Sequence, residues 1–112
     1  MASIYKIVSE AEWRAAEAAG VFEGSGIDHQ DGYIHFSTAE QAQETAAKHF
    51  AGQTDLLLVA VDADLVDLKW EPSRGGALFP HLYASLPMSA VTRVVPLPLC
   101  ASGAHQFPDM AD

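Results

Sequence analysis

The sequence predicts a small α+β domain in which two helices pack on a mainly antiparallel sheet. Three observations lead there. The periodic segments run β-α-β-α and then continue as several strands, a segregated order rather than a strict alternation of strand and helix. Both helix starts carry a capping pair three residues apart, Ser9 with Glu12 and Ser37 with Glu40. The length of 112 residues leaves room for one core.

The first strand is the β-favouring run Ile4, Tyr5, Ile7 and Val8. Ser9 ends it and opens a helix in which Trp13, Ala16 and Ala19 recur at helical spacing, while Glu10, Glu12, Arg14 and Glu17 take the other faces. Gly20 supplies the stop. From Val21 to Gly32 the glycines and aspartates read as an irregular loop that closes with an Asp31-Gly32 turn, and a loop of that length in a small domain is a place for function. Tyr33 to Ser37 is the next strand. Its alternation sends Ile34 and Phe36 into the core and turns Tyr33, His35 and Ser37 to the opposite face. The second helix then starts at Ser37, buries Ala39, Ala42, Ala46 and Phe50, and ends near Gly52.

Leu56 to Val61 is apolar without a break, as a central strand covered on both faces should be. Asp67 to Glu71 forms a further short strand. Pro72 to Gly76 is a loop, and Phe79 to Ala84 resumes extended structure with His81 and Tyr83 on one face and Leu82 on the other. Val91 to Leu97 is a last strand whose prolines, Pro96 and Pro98, put its end on an edge or outside the sheet. The domain spans 1–99, and residues 100–112 are expected to form a flexible tail.

Composition excludes several function classes. Hydrophobic residues make up 49% and charged residues 19%, the balance of a chain that folds by itself. The net charge of −9 repels phosphate backbones and anionic lipid heads, so duplex nucleic acid and membranes are not expected partners. No segment approaches the ~18 apolar residues of a membrane span, and the first eight residues do not read as a signal peptide. A single cysteine, Cys100, forms no intramolecular disulfide, which suits a cytoplasmic location. The serine-hydrolase elbow, the phosphate-binding Walker loop and the dinucleotide glycine fingerprint are all missing from the sequence.

Strand parity puts His35 and His81 on the non-core faces of two strands, each beside an aromatic or hydroxyl group. Imidazoles placed there can donate, accept, stack and transfer protons near neutral pH. W-E-P-S-R-G-G at Trp70 to Gly76 adds an acid, Glu71, and a cation, Arg74, whose planar guanidinium suits an anion; the plain alternative is a surface hairpin in which Glu71 pairs with Arg74. Ser37 and Thr38 sit at a helix start with free backbone amides, where either an anion or simple capping would use them. Asp28, His29, Asp31, His35 and His81 lack metal-ligand spacing, and no metal site is assigned. His49 and His105 read as structural.

I-Y-K-I at Ile4 to Ile7, D-G-Y-I-H-F-S-T at Asp31 to Thr38, Q-A-Q-E-T-A after it, and W-E-P-S-R-G-G-A-L-F-P-H-L-Y at Trp70 to Tyr83 together resemble one bacterial family, the domain of unknown function 952. That family's fold is similar to the ADP-ribosyltransferase fold. The resemblance implies a split, twisted sheet around a cleft where transferases of that fold hold NAD, with Tyr5, Lys6, His35, Ser37 and Thr38 lining it. The function expected is therefore binding of a nucleotide-like or other anionic small molecule in a cleft lined by His35, His81, Tyr83, Arg74, Lys6 and Glu71. Transfer or hydrolysis at a ribose would be its chemistry, with Glu71 steadying positive charge on the sugar, His35 holding its hydroxyls and Arg74 its phosphate. Two alternatives stand beside it. One is a noncatalytic module that meets a protein or a second copy through Trp70, Phe79 and Tyr83; the other is a metal-dependent hydrolase using His35 and His81.

Overall fold

The computed structural model describes residues 3–72, 76–108 and 110. β1 (Ser3–Ser9) leads into α1 (Glu10–Ala19), β2 (Val21–Phe22), α2 (Gly26–Asp31), β3 (Ile34–His35) and α3 (Ala39–His49). β4 (Leu56–Asp62), β5 (Leu68–Pro72), β6 (Leu78–Leu82), β7 (Leu86–Pro87) and β8 (Val91–Pro96) follow, with short 3₁₀ turns at Ala63–Leu65 and Met88–Ala90. Among the described residues every strand pairing is antiparallel, in three groups: β1-β4-β8, β2-β7 and β3-β6-β5. The α+β expectation and the edge position of β8 hold, and β4 is central as its unbroken apolar run implied.

β4 is buried on both faces because each face meets its own cluster. Leu57, Val59 and Val61 pack with Ile4, Val8, Trp13, Phe22 and Leu86, whereas Leu56, Leu58 and Ala60 pack with Tyr5, Ile7, Ala46 and Leu97. Fully burying a side chain of this size is worth about 1.5–3 kcal/mol, so this two-sided strand is the main support of the fold.

α1 starts as expected: the Glu12 amide donates to Ser9 Oγ at 3.2 Å, and Gly20, at φ 86°, closes the helix by donating to the Ala16 carbonyl. Ala19, expected on the buried side, is exposed. Three further expectations need correction. The glycine-rich loop contains a third helix, α2, which Gly32 closes at φ 86° with its amide on the Asp28 carbonyl. Val21–Phe22 pairs with Leu86–Pro87, and runs this short leave no periodic trace in the sequence. Thr38, not Ser37, caps α3; its hydroxyl accepts from the Gln41 amide and Gln41 Oε1 accepts from the Thr38 amide, so the capping box is one residue later than the S-T-A-E reading.

Ser37 instead serves as a seam between sheets. Its amide donates to the Tyr5 carbonyl at 2.8 Å and its carbonyl accepts from the Tyr5 amide at 2.7 Å, which ties the β3 strand end to β1. After β8 the chain turns back: Leu99 bridges to His105, Phe107 and Met110 pack on the second cluster, and the Tyr5 hydroxyl donates to the Met110 carbonyl at 3.1 Å. Among the described residues no helix is long and apolar enough to cross a membrane.

Candidate functional site

β3 and β6 pair so that His35 lies directly opposite His81, and directly opposed residues share a face of the sheet. The parity argument thus brings the two histidines together. Their ring centroids are 5.4 Å apart, edge to face. Tyr33 covers both, stacked on His81 at 4.2 Å and tilted against His35 at 4.6 Å, and Tyr83 lies against Tyr33 at 4.9 Å.

Each ring is held at Nδ1 by a carboxylate. His35 Nδ1 is 2.6 Å from Asp28 Oδ1, and its Nε2 is 3.0 Å from Asp31 Oδ2, so a ring protonated at both nitrogens donates at both ends. His81 Nδ1 is 2.8 Å from Glu71 Oε1, and the Tyr83 hydroxyl donates to that same oxygen at 2.7 Å. The His81 side chain is nearly enclosed at 3% exposure, whereas that of His35 stays 27% exposed.

Asp28 is the hub of this wall. It is 2% exposed, and its carboxylate takes Lys6 Nζ at 3.0 and 2.8 Å, the His35 ring, the His35 backbone amide at 3.1 Å and the Ser25 amide at 3.0 Å. Burial alone would raise this carboxyl, but His35, Lys6 and the Ser25 amide outweigh it and hold the group well below the usual carboxylate range. Lys6 occupies an inward position on β1 between Ile4 and Val8 and is itself 5% exposed, so its charge is already spent on Asp28.

The hydrogen bonds from His81 and then Tyr83 lower the Glu71 carboxyl below its ordinary value. The same contact with Glu71, followed by burial, pushes the Tyr83 phenol up to about 12. Alkaline absorbance titration, read as the difference between the protein and its Tyr83→Phe variant, should therefore show one phenol ionising well above ~10, the ordinary tyrosine value. Glu71→Gln should bring it back toward that value, and a Tyr83 titrating normally with Glu71 in place would rule out the contact.

A cavity of about 570 Å³ opens beside the histidines. β1 contributes Tyr5 and Lys6, the β3–α3 joint His35 and Ser37, and β6 Phe79 and His81, while α2 and the end of α3 complete the wall with Ile27, Asp31, His49 and Phe50. Five expected residues, Tyr5, Lys6, His35, Ser37 and His81, thus border one space. Others do not. Thr38 is consumed in capping, Glu71 sits behind His81, and Tyr83 borders a separate, shallower depression with Tyr33 and His29. The Ser37 hydroxyl is 2.9 Å from that of Thr45, which donates to the Gln41 carbonyl. Arg74 lies outside the described residues, as does its pairing with Glu71.

In the sequence Asp28 and Asp31 stand out only as members of an irregular loop and of a set without metal-ligand spacing. The Ser25-x-x-Asp28 spacing was the available signal: the Asp28 carboxylate accepts from the Ser25 amide as it would at a helix start. Among the described residues no group of three or more His, Cys, Asp or Glu side chains is arranged to hold a metal. The aromatic anchors proposed for a protein-binding face also separate. Trp70 stands opposite Pro80 and Glu71 opposite Phe79, so the pleat sends Trp70 to the reverse side of the hairpin from Phe79, and Phe79 is buried at 5% exposure.

Comparison with solved structures finds the fold elsewhere. The crystal structure of protein CC0527 from Caulobacter crescentus is 60% identical, with 93% of each chain covered and a TM-score of 0.89. The solution NMR structure of CC0527 is likewise 60% identical, covering 95% of this chain and 93% of that one with a TM-score of 0.86. No curated protein matches. The family model described as protein of unknown function DUF952 matches residues 7–94, and with that span of the chain matched the protein belongs to the DUF952 family.

Proposed function

We propose that the cavity binds a nucleotide-like small molecule, and that its chemistry is transfer or hydrolysis at the ribose. The observation that carries this reading is the placement of His35 and His81 in register on adjacent strands, at the wall of a cavity of about 570 Å³ that the rings of Tyr5, Phe50 and Phe79 also line. Such a space suits a planar group against Tyr5, Phe50 and Phe79, and it offers two imidazoles for hydroxyls and proton transfer. Glu71 acts through His81 in this reading rather than on the sugar, since it holds the far side of that ring. A likeness to the ADP-ribosyltransferase fold, with NAD as ligand, belongs to the same proposal. It is supported by a cavity that the first strand and the β3–α3 joint both line.

Amide NMR titration with NAD and with adenosine 5′-monophosphate tests it. Shifts should cluster at Tyr5, Lys6, His35, Ser37, Phe79 and His81. Shifts confined to α1 and to residues beyond 100, or none at millimolar ligand, would overturn the proposal.

A further inference from the structure

We infer that His81 Nε2 is the hydrogen-bond acceptor through which the cavity reads its ligand, so the ligand presents an O–H or N–H donor there, carried by a neutral, nucleoside-like group. This inference rests on the small-molecule reading above and specifies which end of the ligand meets the histidines. An ionised carboxylate only accepts, and Glu71 Oε1 also takes the hydroxyl hydrogen of Tyr83, so the proton of a neutral His81 ring belongs on Nδ1. Nε2 then carries a lone pair. Among the described residues nothing donates to it, although the ring is 2% exposed and borders the cavity. A buried acceptor left without a partner calls for one, and the cavity is the side from which it can come.

The surroundings select the partner's charge. Asp28 and Asp31 grip the neighbouring His35 ring, Glu71 grips His81, and Lys6 is already paired with Asp28. Lys69, directly opposite His81 on β5, adds a second ammonium, so among the described residues three carboxylates still face two ammonium groups around the two rings, and a negative group brought against Nε2 would meet both a lone pair and that field. A hydroxyl or amino group meets neither. The phosphate of a nucleotide accordingly lies away from His81, and a ribose hydroxyl or base N–H lies against it.

Tautomers can be read directly by long-range proton–nitrogen NMR on the full chain labelled with ¹⁵N-histidine. In its neutral form the His81 ring should show a protonated Nδ1 and a bare Nε2, and Glu71→Ala should convert this to a mixture of tautomers. Adenosine should then move the Nε2 resonance in the direction of a hydrogen-bonded nitrogen, while inorganic phosphate at equal concentration leaves it in place. A proton on Nε2 in the free protein, a response to phosphate instead of adenosine, or cavity amides shifting with adenosine while Nε2 stays still would each overturn this inference and leave the small-molecule reading intact. Adenosine, NAD and adenosine 5′-monophosphate all failing to move any cavity resonance would remove both.

Discussion

Asp28→Ala is expected to cost the fold about 3–5 kcal/mol, read as a lowered urea midpoint with an unchanged slope. The carboxylate it removes is the common partner of the Lys6 ammonium, the His35 ring and two backbone amides, and Lys6, whose burial already disfavours its charge, is left at 5% exposure without that partner. For a domain of this size, whose whole stability is of order 5–15 kcal/mol, that is a large share. Lys6→Met should be costly for the converse reason, since Asp28 would retain only part of its compensation. The double variant should lose less than the sum of the two, by about 0.5–3 kcal/mol, because each single change strands the charge that the other removes. Strict additivity would mean that the pair is not coupled.

The pH dependence follows with a definite sign. The Asp28 carboxyl is depressed in the folded protein, so its contribution is complete above the ordinary carboxylate value of ~3.9 and drains away as pH falls from there through the folded value. Asp28→Asn should flatten the acid limb of the stability curve while leaving its shape near neutrality unchanged. An identical acid limb in both proteins would show that Asp28 is not held low.

The second large effect is expected at Trp13→Ala, at about 3–5 kcal/mol. Trp13 is fully enclosed, its ring tilts against Phe22 at 5.5 Å, and its indole N–H donates to Glu17 at 3.1 Å one turn later on α1. Trp70 supplies the internal comparison. It is 47% exposed, and Trp70→Ala should change stability by less than about 0.5 kcal/mol if it is a plain surface residue. Equilibrium urea unfolding followed by far-UV circular dichroism checks both, and equal losses at the two tryptophans would contradict the packing described.

Much of the candidate site was legible because it depends on local periodicity. Ile34 and Phe36 had to be buried, which forced His35 and Tyr33 to the other side, and the same reasoning applied to F-P-H-L-Y. Yet parity only says which face a ring takes. That His35 meets His81 with no offset depends on the register of β3 against β6, and that Glu71 reaches behind His81 depends on the register of β5. Thr38 shows the limit at shortest range: two adjacent hydroxyls, Ser37 and Thr38, both fit a capping box, and only the bridge of Ser37 to Tyr5 decides which one caps. For the same reason the carboxylate neighbours were read by type and not by partner.

From the chain alone came the α+β class, the central β4, the α1 cap and the outward turn of both histidines, since each is set by hydrophobic spacing or by groups within four residues of one another. Tertiary structure alone decided that Lys6 is neutralised by Asp28 across 22 residues, that Asp28 and Asp31 share the two nitrogens of His35, and that His81 faces the cavity with Glu71 and Tyr83 behind it. Coulombic and hydrogen-bonded partners are chosen by distance in space, and the burial that lets them act in a low dielectric exists only once the sheets have closed.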